Sequence, residues 1–319
     1  MKIIALVAAS AVLISGHRSL QERPFDQPTL KEVSVNGTTI RYVEQGRGAP
    51  VVFVHGAISD HRYWEPQREA VAKRYRFIAI DRRYFGAAPW PDTGVRISQE
   101  TDADDLAAFI RALKIGPAVL VGTSGGANIV LITALRHPKL ARALFVQEPG
   151  LRSIVTDSAD SSLVSEADAD RPARAAAAAG NMADAARLFV DRNNGPGSFD
   201  RLPPTFKQMF IENARTITVP GPRAPAEPIT CQQLGQIRVP VTITEGALTG
   251  PSRRIMDAAA HGCIPQSQLI TIPNGRHGAT RENPSAFNDA LLAFLDRQSR
   301  AKFTLPLRGK KNRRNFQLR

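Results

Sequence analysis

Short β-branched and apolar runs recur along the chain: TIRYVEQ (39–45), APVVFVHG (49–56), YRFIAIDRR (75–83), PAVLVGTS (117–124), RALFVQEP (142–149), RVPVTITEG (238–246) and SQLITIPNG (267–275). Most hold four to six consecutive apolar residues, the pattern of a strand covered on both faces. Between them stand segments with apolar residues at helical spacing: DHRYWEPQREAVAKR, SQETDADDLAAFIRALK, GGANIVLITALRHP, PSRRIMDAAAHG and NPSAFNDALLAFLDRQ. Alternation of this kind predicts an α/β fold, a mostly parallel central β-sheet with helices on both faces. Short links such as RHPKLARALFV fit right-handed crossovers.

One stretch breaks the rhythm. From Gly150 to Thr230 no strand pattern appears, and the residues read as helices: RPARAAAAAG, NMADAARLFVDRNN and LPPTFKQMFIENAR, followed by a proline-rich loop. An insertion between two parallel strands predicts a helical cap, residues 150–230, over the strands' C-terminal edge. The core then comprises residues 30–149 and 231–298, preceded by a candidate signal segment (1–16) and a linker (17–29), and followed by a basic, disordered tail (299–319).

With 319 residues, 43% hydrophobic and 22% charged, the chain has the composition of a globular protein. The net charge of +13 suggests nucleic acid until its placement is considered: seven Lys or Arg and no acid stand in the last 19 residues. No nucleic-acid-binding motif accompanies them, so no nucleic-acid partner is expected. No apolar run reaches the ~18–20 residues that span a bilayer, so no stable membrane span is expected either. The first residues, MKIIALVAASAVLISGHRS, resemble the charged and hydrophobic regions of a secretory signal, although the cleavage site is poor. Export is the expectation, with a cytoplasmic location as the alternative. Cys231 precedes one strand and Cys263 ends the helix after it, which puts both at one edge of the sheet. A disulfide there is geometrically feasible and would fit an oxidising compartment.

The sharpest motif is Gly122-Thr123-Ser124-Gly125-Gly126, a G-x-S-x-G between an apolar strand and a helix. That context forces the serine into a sharp turn and lifts Oγ above the sheet at a helix N-terminus, where developing negative charge is favoured. Ser124 is the candidate nucleophile.

On these residues, and on FVHGAISDHRYW (53–64) and IDRRYFGAAPW (80–90), the chain resembles the α/β-hydrolase family across roughly residues 30–298. Two positions depart from the family pattern: Tyr84 stands for its first glycine and Ala88 for its usual serine. The resemblance implies an oxyanion hole from the backbone N–H groups of Ala57 and Gly125, with His55 and Asp81 as structural residues. Five of the six histidines stand where a structural role suffices. His17 lies in the N-terminal segment, His55 in the oxyanion loop, His61 at the start of a surface helix, and His137 and His261 at helix ends. His277, in the loop after the last strand, remains as the base, and the family's catalytic histidine occupies this loop.

The family's acid is missing. Its usual position, three residues after the glycine of ITEG, is Thr249, whose hydroxyl carries no charge. Two carboxylates compete for the role. Glu245 precedes the glycine turn and should point across the sheet edge. Glu148 ends the strand between the serine strand and the ITEG strand, and the order Ser124, Glu148, His277 is the nucleophile–acid–base order of this fold. Glu148 is preferred and Glu245 is kept as the alternative.

These residues describe a serine hydrolase that cleaves a carboxylic ester or lactone through an acyl-enzyme. The partner is then a small-molecule substrate, while the oligomeric state is not legible. A serine nucleophile argues against the aspartate-dependent relatives, haloalkane dehalogenases and epoxide hydrolases. No cofactor and no metal are expected, since there is no G-x-G-x-x-G, P-loop or metal-ligand spacing. The alternatives are a degenerate, ligand-binding relative, or a cofactor-free perhydrolase or C–C hydrolase on the same residues. Leu188, Phe189, Phe206, Met209 and Phe210 of the cap, with Tyr84, Phe85 and Trp90, are the candidate substrate-binding residues. They predict a largely apolar pocket.

Overall fold

The computed structural model describes residues 28–88, 98–155, 169–218 and 228–300. The expected signal segment, Trp90 and residues 301–319 of the expected basic tail lie outside the described residues, while the first two residues of that tail belong to the C-terminal helix. Eight strands form one sheet: β1 (Lys31–Val35), β2 (Thr38–Gln45), β3 (Pro50–Val54), β4 (Arg76–Ile80), β5 (Ala118–Thr123), β6 (Ala141–Gln147), β7 (Val241–Gly246) and β8 (Ser267–Ile272). Their order is β1-β2-β4-β3-β5-β6-β7-β8. Strand β2 pairs antiparallel with both β1 and β4, and the remaining pairings are parallel. The expected α/β class with a mostly parallel central sheet is what the structure shows.

The runs of apolar residues supply both faces of the sheet. Val52, Val54, Ile78, Ile80, Leu120, Leu144 and Val146 pack against helices α2 (Gln99–Ala112) and α3 (Gly125–Arg136). The residues between them, Val51, Phe53, Phe77, Ala79, Val119, Val121, Ala143 and Phe145, face α1 (Glu65–Ala72) and the C-terminal helix at Pro284–Arg300. Successive strand side chains point to opposite faces, so a run with no polar member must be covered twice.

Lys31–Val35 is not among the apolar runs, yet it forms β1. Its alternation of exposed and half-buried residues marks an edge strand, which a search for consecutive apolar residues passes over. Between β6 and β7 the described residues contain no strand and three α-helices of eight or more residues: α4 (Arg171–Ala178), α5 (Met182–Asn194) and α6 (Pro204–Asn213). Ala177, Ala185, Val190, Met209 and Phe210 from these helices join the same apolar cluster as Phe53 and Phe145. Helices α7 (Cys231–Leu234), α8 (Pro251–Cys263), α9 (Ala279–Glu282) and α10 (Pro284–Arg300) complete the order. Cys231 and Cys263 are joined as a disulfide, with Cα atoms 5.0 Å apart, tying α7 to the end of α8.

Candidate active site

The C-terminal ends of β3, β5, β6 and β8 deliver the site. Ser124 leaves β5 with φ 53° and ψ −122° and caps α3. A non-glycine residue with positive φ is costly, and here the surroundings enforce it. The N–H of Ser124 donates to the Gln147 carbonyl (2.9 Å), and its own carbonyl accepts from Ala127 N (2.9 Å). The turn closes because its flanking glycines carry no side chain: a Cβ on Gly126 would stand 2.2 Å from the Val54 carbonyl oxygen, and one on Gly122 2.4 Å from that of Gly126.

His277 lies in the loop between β8 and α9. Its Nδ1 is 2.6 Å from Glu148 Oε2. The other oxygen of Glu148 accepts from the Gly246 N–H at 2.9 Å and from the Thr249 hydroxyl at 2.5 Å. Arg253 Nε stands 3.9 Å from Oε2. Glu148 itself follows β6 in a left-handed conformation (φ 45°) and is fully buried. Gln147, just before it, donates through Nε2 to the His277 carbonyl (3.1 Å) and accepts from the Thr123 hydroxyl. One residue thereby bonds to the main chain on both sides of the site. Glu245 turns the other way, and its carboxylate accepts from Thr271 of β8 at 3.0 Å.

Burial pushes the Glu148 carboxyl up, but hydrogen bonds from His277 and Thr249 and the charge of Arg253 bring it to a net value below that of an ordinary glutamate. Burial and Arg253 push the His277 imidazole down, and Glu148 opposes them without restoring it to the ordinary histidine value. At neutral pH the pair is thus carboxylate and neutral imidazole. With a carboxylate at Nδ1 the ring proton sits there, which leaves Nε2 as the acceptor a general base requires.

Ala57 lies in the loop after β3, and Ala57, Ser124 and His277 line one cleft. Among the described residues neither the Ala57 nor the Gly125 N–H has a hydrogen-bond partner. His55 shapes this loop: its Nδ1–H donates to the Gly56 carbonyl (2.9 Å) and its Nε2 accepts from Arg82 N (3.1 Å). Asp81 accepts from the backbone N–H (2.8 Å) and Nδ1 (2.7 Å) of His61. Asp60, His61 and Asp81 bring one ligand-type atom each within 4.8 Å of one another. Those atoms are occupied by protons, because Asp60 also accepts from Arg62 and Asn213. A metal would have to displace an ion pair.

The candidate substrate-binding residues separate. Phe189 and Phe210 line the cleft, and Phe206 lines an adjoining outer cavity. Met209 is wholly buried in the core, and Leu188 lines neither space. Tyr84 and Phe85 are not cleft walls. Both are buried, with Phe85 edge-on to the His55 ring (4.9 Å) and beneath the Arg82 guanidinium (4.1 Å). The loop folds back because Gly86 approaches Asp81 so closely that a Cβ would stand 2.8 Å from its carboxylate. Tyr84 keeps the positive φ (67°) of the glycine it replaces.

The mostly apolar lining also includes polar groups. Asn193, Asn194 and Arg281 share the cleft wall with Phe189, Val190 and Phe210. The Asn-Asn pair ends α5, and Arg281 follows His277 by one helical turn. That spacing is the only trace of them in the sequence.

The chain matches a family model described as the alpha/beta hydrolase family over residues 51–290. It is similar to the AB hydrolase superfamily protein YisY of Bacillus subtilis, 26% identical over 260 residues, 78% of this chain and 92% of that protein. It is similar also to the 2-(acetamidomethylene)succinate hydrolase of Mesorhizobium japonicum, 26% identical over 83% of this chain and 95% of that protein. Among solved structures, a thermophilic esterase from Thermogutta terrifontis superposes with a TM-score of 0.69 at 22% identity, covering 85% of this chain and 99% of that one. With the family model spanning most of the chain and the sheet order in agreement, this protein belongs to the alpha/beta hydrolase family.

Proposed function

We propose that this hydrolase cleaves a carboxylic ester or lactone of a small substrate through an acyl-enzyme on Ser124. The observation that carries the reading is the 2.6 Å contact between Glu148 and His277 in the cleft that also holds Ser124. In the first half-reaction Ser124 Oγ attacks the carbonyl carbon while His277 Nε2 takes its proton. The carbonyl oxygen becomes an oxyanion facing the Ala57 and Gly125 N–H groups. Collapse expels the alcohol oxygen, which receives the proton from His277, and leaves the acyl group on Ser124. Water then repeats the sequence, releasing the acid and restoring the serine. Glu148 orients the ring and stabilises the imidazolium formed in each step.

The names of two similar proteins, an esterase and a hydrolase of 2-(acetamidomethylene)succinate, are compatible with a small organic substrate. A degenerate, ligand-binding role loses its motive, because the gap at Thr249 is filled by a carboxylate from the neighbouring strand. The test is labelling with a fluorophosphonate followed by peptide mass spectrometry. Modification at Ser124, absent in Ser124→Ala, supports the nucleophile; an unmodified wild-type protein would overturn it.

A further inference from the structure

Arg281 presents an unpaired cation to the reaction cleft. It lines both the cleft around Ser124 and the outer cavity beside it. Its guanidinium is held over three rings, with centroids at 5.7 Å (Tyr63), 5.8 Å (Phe206) and 5.6 Å (Phe210). Among the described residues no carboxylate pairs with it, and its buried Nε has no hydrogen-bond partner. Three other buried or partly buried arginines are each matched by a carboxylate: Arg82 with Asp102, Arg83 with Asp105 and Arg62 with Asp60. Arg281 is half-buried, and aromatic faces replace only part of the interaction that its guanidinium loses where it leaves water.

A second orphan stands beside it. Asn194 is 5% exposed, and its Nδ2 donates to the Val190 carbonyl while its Oδ1 has no partner. Both groups converge on Gly278, the residue after His277. A Cβ there would lie 2.5 Å from Arg281 Nη2 and 2.8 Å from Asn194 Oδ1. A donor cation and a neutral acceptor thus face one small space, kept open by a glycine, next to the base.

We infer that the substrate carries a free carboxylate, bound by Arg281, with an N–H or O–H close to it that donates to Asn194. This rests on the serine-hydrolase reading and narrows its substrate class. The Asn194 oxygen beside the cation disfavours a dianionic phosphate and suits a single carboxylate with a neighbouring donor. Arg281 is then a specificity residue: it selects the substrate while Ser124, His277 and Glu148 perform the chemistry.

Two measurements test this. The first compares mono-(4-nitrophenyl) adipate with 4-nitrophenyl hexanoate, which differ by the terminal carboxylate. The wild type should favour the adipate in kcat/KM by roughly tenfold to a hundredfold, the range of a charge-assisted hydrogen bond. Arg281→Met, which keeps an unbranched stem against the rings, should abolish that ratio, chiefly through KM, and Arg281→Lys should restore part of it. Equal wild-type rates on the two esters, or a ratio unmoved in Arg281→Met, would overturn the proposal. The second is calorimetric titration of Ser124→Ala with free adipate, which needs no turnover. Saturable binding lost in the Ser124→Ala, Arg281→Met double variant supports the anion site even if neither ester is hydrolysed; no binding to Ser124→Ala refutes it. Failure of fluorophosphonate labelling at Ser124 would instead strike the catalytic reading alone.

Discussion

The hydroxyl of Thr249 donates to Oε1 of Glu148 at 2.5 Å. The residue at the position where the family resemblance placed an acid now steadies an acid delivered by the adjacent strand. Removing that donor in Thr249→Val should weaken the fixation of Glu148 and lower kcat by roughly tenfold, about the worth of one hydrogen bond. Thr249→Asp should not improve the enzyme, since two carboxylates would then share one buried site and one would be forced to bind a proton. Steady-state kinetics on both variants decides this; a gain in kcat for Thr249→Asp would mean that Glu148 is dispensable.

Glu148→Gln and Glu245→Gln should separate sharply. The first removes the charge 2.6 Å from the imidazole and should cost roughly 10³–10⁴-fold in kcat. The second changes a group bonded to Thr271, and its effect should stay within a few-fold. Comparable losses in the two variants would contradict the assignment of the acid.

The pH dependence of kcat/KM follows from His277. The base must be neutral, and burial together with Arg253 places its pKa below the ordinary histidine value. The acid limb should therefore fall below about pH 6.5, with activity lost only as pH drops through that lower value. Arg253→Met removes one of the charges that depress the imidazole, so the limb should move toward higher pH. A limb that stays in place would show that Arg253 does not set it.

Asp257 of α8 is wholly buried, with neither carboxylate oxygen hydrogen-bonded among the described residues. Burial, with the negative charges of Glu148 and Glu245, pushes its pKa up to about 9. A folded-state value above the unfolded one means the stability it contributes is complete below about pH 4. It is lost as pH rises toward 9. Asp257→Asn should thus stabilise the fold at pH 8 by about 2 kcal/mol or more, and have little effect near pH 4. Thermal unfolding at the two pH values measures it; destabilisation at pH 8 would show that Asp257 is ionised and paired.

The Cys231–Cys263 bond closes a loop with a sequence separation of 32, which should contribute about 3–4 kcal/mol by the chain-entropy estimate. A Cys231→Ser, Cys263→Ser double variant should unfold at a lower temperature. Intact-mass analysis of protein from the native host also tests the expected export, through removal of an N-terminal segment together with the two missing thiol protons. An unprocessed N-terminus with two free thiols would place the enzyme in a reducing compartment.

What was legible in the sequence depended on whether chain order alone decided the matter. The fold was readable because strands buried on both faces show as consecutive apolar residues, and β1, with one exposed side, did not. The contact of Glu148 with His277 could be anticipated because the family resemblance sets its strand beside the serine strand and parallel strands bring their C-terminal ends to one edge. The cleft walls were not. Whether Phe85 faces substrate or packs against His55 depends on how the loop folds back at Gly86, and aromatic character is the same in either case. Arg281 was missed for the reverse reason: a charged residue in a helix pattern ordinarily faces water, and only the rings of Tyr63, Phe206 and Phe210 turn it inward.

Gln147 gives the site a mechanical property. It accepts from the Ser124 N–H, donates to the His277 carbonyl and is followed directly by Glu148, so the reacting trio is suspended from the tip of β6. Ser124, His277 and Glu148 are thereby tied to one another through a single residue. None of these ties comes from the inserted helices. Changes to those helices should accordingly alter which molecules are accepted long before they alter how fast an accepted one reacts.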